Sequence, residues 1–272
     1  SLSLNRVTLQ LVRSMAGKAN HVAGLVHAWR PFLSELWAAI AKAVQSKQQQ
    51  PYIWVRQIRP ALEWLKAFMD KTAGTLIRTY LLRHHFNLDP KSTITFDASP
   101  WGLGGVLSRE GKVQRYLFSP LEAIDERKFG YKRGDHKGQQ CWESLSMLVC
   151  MRQWKRFWLT SRANLTVSGD SMTALWMATR MKAKGFGTNI VARELSLDLG
   201  DASYRPDAIT HIPGLSNDIP DWLSRLTAPN RKEAPPVPAT WCDAVQDFPP
   251  RRLPAWYASE VQGTRAYRRK RA

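Results

Sequence analysis

Residues 93–107 read Thr93-Ile94-Thr95-Phe96-Asp97-Ala98-Ser99-Pro100-Trp101-Gly102-Leu103-Gly104-Gly105-Val106-Leu107. Two short apolar runs, 92–97 and 103–109, lie on either side of a turn, and a third follows at 113–118. Runs of this length, separated by glycine-rich or charged turns, are typical of antiparallel strands. The stretch therefore predicts a three-stranded β meander.

Helical and strand-like runs alternate after this meander. We predict helices at 138–159, 170–181, 188–199 and 218–226, and strands at 164–168 and 207–212. This order of elements predicts an α/β domain in which a mixed five-stranded sheet is flanked by helices.

The segments on either side of this domain have a different composition. Apolar residues recur at helical spacing through 5–46, with a break at Arg30-Pro31-Phe32, and again through 54–70, so the first third predicts packing helices. Residues 227–272 are rich in proline and end in a basic tip, Arg268-Arg269-Lys270-Arg271, which predicts a mostly disordered tail that can touch nucleic acid. The predicted divisions are 1–90, 91–226 and 227–272.

The charge of the chain indicates a polyanionic partner. Its 272 residues carry a net charge of +18 with a sequence pI near 10.2, while a hydrophobic content of 44% and twelve tryptophans indicate a folded protein. Lys and Arg that neutralise phosphates release counterions, which strengthens binding to nucleic acid. A surface for acidic membranes or acidic proteins ranks lower, because no lone amphipathic basic helix dominates the sequence.

Cysteine content and hydropathy point to the interior of a cell. The three cysteines, Cys141, Cys150 and Cys242, are odd in number and widely spaced, so they predict neither a disulfide framework nor a zinc site. No apolar run approaches the ~20 residues of a membrane span. We therefore expect a protein of the cytoplasm or nucleus with no membrane partner. The first residue is Ser1, so we expect a segment of a longer polypeptide or a chain that has lost its initial Met.

Four acidic residues lie in four different local settings. Asp97 ends a strand-like run, Glu143 lies inside a helical stretch, Asp170 closes another strand, and Asp221 opens a short helix. Each one alone has a structural explanation, such as a turn, a helix cap or favourable charge placement in a first turn. Together, carboxylates from strand ends and helix starts are the oxygen ligands that two hard divalent cations need in order to cleave a phosphodiester.

The sequence around these acids resembles the ribonuclease H domain of retroelement reverse transcriptases. The matching stretches are 95–99, 101–107, 143–145 with Trp154, 168–171 with 174–175, 211–214, and Asn217-Asp218-Ile219-Pro220-Asp221-Trp222-Leu223-Ser224-Arg225. The resemblance implies a ribonuclease H-like fold and cleavage of the RNA strand of RNA–DNA hybrids. It also implies that two Mg²⁺ ions, for which Mn²⁺ can substitute, are held by Asp97, Glu143, Asp170 and Asp221.

Further features extend or limit this resemblance. Residues 13–32 resemble the thumb and connection region of a reverse transcriptase, which implies the polymerase part of the same polyprotein as a partner. The aromatic-x-Asp-Asp signature of a polymerase palm is absent from the sequence, so we do not expect this chain to polymerise DNA. We interpret His211 as a structural residue of the last strand. The positions that we select as nucleic-acid contacts, because they lie near the acids in sequence, are Ser99, Trp101, Asn217, Ser224 and Arg225.

Two other functions remain open from the sequence. The first is a catalytically inactive nucleic-acid-binding module with the same fold, against which stands the presence of all four acids. The second is a DNA-cutting nuclease or transposase, against which stand the Leu223-Ser224-Arg225 ending and the thumb-like first third.

Overall fold

The structure is a computed structural model that describes residues 5–46, 51–73, 86, 90–158, 164–183, 185–202, 206, 208–230, 241 and 243–260. The chain divides into two compact units. The first contains Ser1–Arg78, Ala192–Ser203 and Pro254–Ala272, and the second contains Thr79–Val191 and Tyr204–Leu253. This division differs from the predicted boundaries, because two later segments of the chain belong to the same unit as the N-terminal helices.

The first unit is built mainly from helices, as predicted for the first third of the chain. Its elements are β1 (Arg6–Thr8), α1 (Leu9–Leu25), α2 (Arg30–Gln45), β2 (Tyr52–Trp54) and α3 (Val55–Met69). The predicted break at Arg30-Pro31-Phe32 is the start of α2, and Pro31 lies in its first turn. Backbone N–H groups of a first turn have no partner within the helix, so proline loses no hydrogen bond there. Phe32 packs against Trp64 and Phe68 in the core, with ring centroids 6.1 and 5.7 Å apart.

Buried polar contacts hold the later segments in this unit. Arg193 forms an ion pair with Glu35 of α2. The buried carboxylate of Glu194 accepts hydrogen bonds from the backbone N–H groups of Ala258 and Ser259, at 3.0 and 2.7 Å. A buried carboxylate costs free energy unless it is hydrogen bonded, so these donors are required for its burial.

The second unit is a sheet with helices. Its elements are β3 (Lys91–Ala98), β4 (Gly102–Arg109), β5 (Lys112–Pro120), α4 (Ala123–Phe129), α5 (Gln139–Trp154), β6 (Asn164–Gly169), α6 (Met172–Arg180), β7 (Ala208–His211), α8 (Asp218–Ser224) and β8 (Val245–Asp247). A further helix, α7 (Phe186–Ala202), is divided between the two units after residue 191.

The sheet of the second unit is mixed, with the strand order β7-β6-β3-β4-β5-β8. The meander β3-β4-β5 is antiparallel, whereas β6 pairs parallel with β3 and β7 pairs parallel with β6. This arrangement confirms the predicted α/β class with a mixed sheet flanked by helices. The predicted number of five strands was wrong, because β8 adds a sixth strand in parallel with β5.

The sixth strand comes from the segment that we predicted to be disordered. Asp247 of β8 accepts hydrogen bonds from Arg115 of β5 and from the indole N–H of Trp154, at 2.7 and 2.8 Å. Arg252 is buried against Asp125, which is itself fully buried. These non-local contacts order residues 243–253 although their sequence has no periodicity. The basic tip at 268–271 lies outside the described residues.

No helix in the described part of the chain combines the length and the apolar character needed to cross a membrane.

Three glycines of β4 allow helices to approach both faces of the sheet. A Cβ atom on Gly104 would lie 2.7 Å from the backbone nitrogen of Ser224 and 2.8 Å from Cβ of Leu223, and one on Gly102 would lie 2.8 Å from the Ser224 carbonyl oxygen. On Gly105 it would collide with Sγ of Cys150 in α5. The glycine-rich run of β4 is therefore required for the close packing of α8 and α5.

We expect Gly104→Ala to lower the free energy of unfolding by about 1–3 kcal/mol, because the new methyl group must displace α8. Thermal and urea unfolding would measure the loss. The matched control is Gly17→Ala in α1, where no atom beyond the adjacent residues and the nearby backbone of α1 itself lies within 4 Å of the new Cβ. This control should be neutral or slightly stabilising, because Ala favours a helix interior. Equal stability of the Gly104→Ala variant and the parent would contradict the packing described here.

The ion pair of Arg252 gives a second stability prediction. Arg252→Ala leaves the carboxylate of Asp125 buried without its cation, so we expect a loss of about 3–5 kcal/mol in the free energy of unfolding. Its neighbour Arg251 has a side chain that is 85% exposed and lies 3.9 Å from Glu122. Arg251→Ala is the matched control and should change stability by less than about 1 kcal/mol. Similar losses in the two variants would show that the tail is not held by this pair.

Candidate active site

Asp97 lies near the end of the central strand β3. Its neighbours Phe96 and Ala98 are buried in the core, and Asp97 itself is only 5% exposed. Thr95 pairs with Ser168 in the parallel register of β3 and β6, so two residues further along the strands Asp97 reaches the level of Asp170. Two carboxylates at the ends of adjacent parallel strands thus meet at one edge of the sheet.

Glu143 is supplied by α5 and is partly buried. The side-chain amide of Gln139, one turn earlier, donates hydrogen bonds to Oε1 of Glu143 at 3.1 Å and to the carbonyl oxygen of Ala98 at 2.6 Å. The Ser171 hydroxyl also hydrogen bonds to Glu143 and partly opposes the rise in its pKa that burial causes. Gln139 therefore connects the first turn of α5 to the strand end beside Asp97.

Asp170 follows β6 directly but does not cap the next helix. The N-cap of α6 is Ser171, whose hydroxyl accepts a hydrogen bond from the backbone N–H of Ala174 at 3.4 Å. Oδ1 of Asp170 is buried and has no hydrogen-bond partner among the described residues. A buried carboxylate oxygen in this state is costly, which makes it a ready acceptor for a cation. A helix cap, one of the structural explanations open to a single acid, therefore does not account for Asp170.

Asp221 lies in the first turn of α8, as the sequence predicts, and is partly exposed. Its Oδ1 accepts a hydrogen bond from Nε of Arg225 at 2.6 Å. Ser224 of the same helix is fully buried, and its hydroxyl lies 3.0 Å from Oδ2 of Asp97 and 2.8 Å from the carbonyl oxygen of Asp221. The short helix α8 thus brings both a carboxylate and a hydrogen-bond donor to Asp97.

The electrostatics of Asp97 show that the four acids form one cluster. Burial and the negative charges of Asp170 and Asp221 raise the pKa of Asp97 to about 8, opposed by the hydrogen bond from Ser224 and increased further by Glu143. Burial also raises the pKa of Glu143 above its ordinary value, with a smaller contribution from Asp170. Like charges that share a buried site disfavour ionisation. A positive charge bound among these acids would therefore stabilise their ionised forms.

The donor set of this cluster suits a hard divalent cation, because it consists of carboxylate oxygens and includes the unpartnered Oδ1 of Asp170. No three His, Cys, Asp or Glu side chains within the described ranges are arranged so that they could hold a metal ion as one group. Mg²⁺ keeps several of its waters and takes only one or two carboxylates in such sites. The residue types present around Asp97 are therefore those that a hard cation binds, but the described side chains do not close around one metal position.

Three of the five predicted nucleic-acid contacts, Ser99, Asn217 and Ser224, are buried in the structure. The Ser99 hydroxyl donates to the carbonyl oxygen of Ser224 at 2.7 Å, and the Asn217 amide donates to the carbonyl oxygen of Phe96 at 3.1 Å. These two side chains and that of Ser224 join α8 to β3 and the following turn, so they position the acids and are not available to a ligand.

Trp101 and Arg225 are the two predicted contacts that remain partly exposed. Both therefore stay predictions as nucleic-acid contacts. His211 ends β7, as predicted, and its Nε2 lies 3.2 Å from the carbonyl oxygen of Asp170.

Sequence analysis missed two residues that support the acids, Gln139 and Ser171. Each had a local signal that could have found it. Gln139 precedes Glu143 by four residues, the spacing at which helical side chains meet. Ser171 directly precedes a helical run, where serine is a favoured N-cap.

Comparisons with solved structures find similar chains, two of which are described here. Ribonuclease H1 from the halophilic archaeon Halobacterium salinarum NRC-1 is 16% identical over 49% of this chain and 92% of its own, with a TM-score of 0.33. A foamy viral protease-reverse transcriptase dRH in complex with double-stranded DNA is 13% identical over 76% of this chain and 34% of its own, with a TM-score of 0.28. Comparison with models of protein families finds no match, and comparison with curated proteins finds none either.

The raised pKa of Asp97 predicts how stability depends on pH. The folded protein keeps a proton on Asp97 up to about pH 8, whereas the ordinary value is 3.8, so without metal the free energy of unfolding falls as the pH rises between these values. Asp97→Asn removes this cost. At pH 8 without metal we expect the variant to be more stable than the parent by on the order of a few kcal/mol, with the difference shrinking towards pH 4.

Urea unfolding of both proteins at pH 4, 6 and 8, with EDTA, would measure this difference. Added Mg²⁺ should then stabilise the parent at pH 8 more than the variant, because a ligand that binds only the folded state raises its stability. Parallel stability curves for the two proteins across this range would contradict the clustering of charge at Asp97.

Proposed function

We propose that the chain is a metal-dependent endonuclease of the ribonuclease H type, which hydrolyses the RNA strand of RNA–DNA hybrids. The observation that carries the proposal is the convergence of four carboxylates from four elements, seen in the effect of Asp170, Asp221 and Glu143 on the pKa of Asp97. Each acid alone has an ordinary structural explanation. A cluster of acids at one edge of the sheet, in a chain of net charge +18, has a functional explanation instead.

Each of the four acids has its own role in this proposal. Asp97 is the most buried of the four, and together with the other acids it would hold two Mg²⁺ ions, or Mn²⁺ in their place. Glu143 and Asp170 complete one side of the cluster, and Asp221 completes the other. When bound, the ions make water a better nucleophile and neutralise charge on the phosphate and on the leaving 3′ oxygen, which gives 5′-phosphate and 3′-hydroxyl ends.

Residues of the chain prepare the cluster for this role. The Ser224 hydroxyl and the Gln139 amide hold Asp97 and Glu143 in place through hydrogen bonds of 3.0 and 3.1 Å. Such fixed orientation reduces the reorganisation needed when the substrate arrives. The basic surface guides the phosphate backbone towards the acids and offsets their repulsion of it.

Selection of a hybrid requires contacts that read both strands. A ribonuclease distinguishes RNA by its 2′-hydroxyl groups and by the shape of the duplex. Trp101 and Arg225 are the partly exposed candidates for these contacts beside the cluster. The resemblance of residues 211–225 extends the proposal to a retroelement reverse transcriptase, with the polymerase part of the same polyprotein as a partner.

One observation favours a second candidate, a nucleic-acid-binding module that does not cleave. Arg225 neutralises Asp221 through an ion pair of 2.6 Å, and so competes with a metal ion for that carboxylate. The pair is about one-third exposed on both sides, so solvent screens it and a divalent cation can displace the guanidinium. The nuclease therefore remains the better-supported function.

The experiment is cleavage of an RNA–DNA hybrid, labelled on its RNA strand, by the purified chain in Mg²⁺ and then in Mn²⁺. We expect cutting of the hybrid but not of the matching DNA duplex. Asp97→Asn and Asp221→Asn should each reduce the rate by on the order of 100-fold or more, because each removes charge from the reacting centre.

The matched control is Asp218→Asn. Asp218 is an exposed acid in the first turn of the same short helix, three residues before Asp221, and its carboxylate contacts only the local backbone of Ile219 in the described structure. This variant should cleave at the parental rate. Salt-sensitive binding of the hybrid without cutting in either metal would reject the nuclease and favour the binding module. Equal losses in the Asp218 and Asp221 variants would reject the assignment of Asp221.

A further inference from the structure

The first unit carries an exposed aromatic face that its fold does not require. Strands β1 and β2 form a short antiparallel pair in which Arg6 lies opposite Trp54 and Thr8 lies opposite Tyr52. Alternation along the strands buries Val7 and Ile53 at 6% and 2% exposure, and it leaves Tyr52 and Trp54 on the other face at 47% and 41%. The buried face stabilises the ribbon, so the two exposed rings are free for another role.

Two arginines frame the larger of these rings. The guanidinium carbon of Arg6 lies 4.8 Å from the centroid of the Trp54 ring, and that of Arg56 lies 5.8 Å from it. Contacts of this kind contribute little to stability at an exposed site, and both side chains remain solvent-accessible. Their effect is to hold two cationic groups over one exposed indole, and a base that stacks on the ring takes the place of a guanidinium, which then turns to the phosphates.

The chain segments that carry this face have a net positive charge. The described N-terminal segments, 5–46 and 51–73, contain nine Lys or Arg and three Asp or Glu. Two of the three acids already have cationic partners: Glu35 pairs with Arg193, and Asp70 pairs with Lys66. The net positive charge of these segments therefore favours the binding of an anionic ligand rather than the binding of a typical protein surface.

The spacing of the rings suits a single strand with separated bases. Tyr52 and Trp54 are two residues apart on one strand, a distance of about 6.6–6.8 Å. This is about twice the 3.4 Å per nucleotide of a stacked strand. Each ring can then receive one base from an opened strand, while the arginines reach the phosphates between them. A duplex offers no such free base faces.

We propose that the aromatic–basic face formed by Arg6, Tyr52, Trp54 and Arg56 binds single-stranded nucleic acid. The bases stack on Trp54 and Tyr52, and the guanidinium groups of Arg6 and Arg56 contact the backbone phosphates. Stacking on aromatic side chains in a basic setting is tolerant of sequence, because every base has a π face. This binding site does not depend on the carboxylate cluster or on the proposed nuclease activity.

The test is binding of a fluorescent single-stranded DNA of about 12 nucleotides to the full chain, followed by anisotropy in EDTA, a length within the site sizes of such surfaces. We expect Trp54→Ala to weaken binding about 5- to 100-fold. The matched control is Trp37→Ala in α2. Trp37 is also 41% exposed, and no arginine within the described residues is seen over its ring. It should bind like the parent.

Two more variants separate stacking from charge. Arg6→Gln should weaken binding and reduce the slope of log affinity against log salt by about one phosphate contact. Tyr52→Leu keeps an apolar side chain but removes the ring, and it should weaken binding without changing that slope. Both substitutions are at exposed positions, so thermal unfolding should match that of the parent.

Three outcomes would overturn the proposal. The first is an absence of binding by the parent, and the second is an equal effect of the Trp54 and Trp37 substitutions. The third is a change of oligomeric state on Trp54→Ala with DNA binding intact, which would make the face a protein contact. Binding is measured in EDTA, where a metal-dependent nuclease does not cut, so failure of the nuclease proposal and failure of this one are distinguishable.

Discussion

The close packing of α8 on β4 is the constraint on which the site depends. Because Gly102 and Gly104 have no side chains, the backbone of the helix lies directly against the strand. Ser224 then reaches Asp97, which is opposite Gly104 in the β3–β4 register. The same approach brings Asp221 near enough to raise the pKa of Asp97. A larger residue in β4 would separate the elements that carry two of the four acids.

The acidic cluster lowers the stability of the folded protein, and the rest of the fold tolerates this cost. Three carboxylates gathered around the buried Asp97 destabilise the folded protein, and hydrogen bonds from Ser224 and Gln139 offset only part of this cost. The ion pair of Arg225 with Asp221 offsets another part. Carboxylates with raised pKa values cluster at functional sites, because a protein selected only for stability would replace one of the acids by a neutral residue.

Much of the fold and of the site follows from local patterns. Three short apolar runs separated by turns in residues 92–118 predict the meander, and the order of helices and strands predicts the α/β class. The four acids could be selected in sequence because each follows or opens an element whose end is recognisable. The sixth strand could not be predicted, because residues 245–247 are held by Arg115, Trp154 and β5, which are 90 to 130 residues distant in the chain. The sequence pattern of the tail alone does not indicate these partners.

The sequence by itself determined the class of fold, the charge of the surface and the identity of the acids, since these depend on residue type and on spacing along one element. Only the tertiary structure decided what the residues beside the acids do. Ser99, Asn217 and Ser224 are short polar side chains near the acids in sequence, yet they are buried and bond to backbone or to Asp97. Burial depends on how helix and sheet pack, and that packing joins residues more than a hundred positions apart.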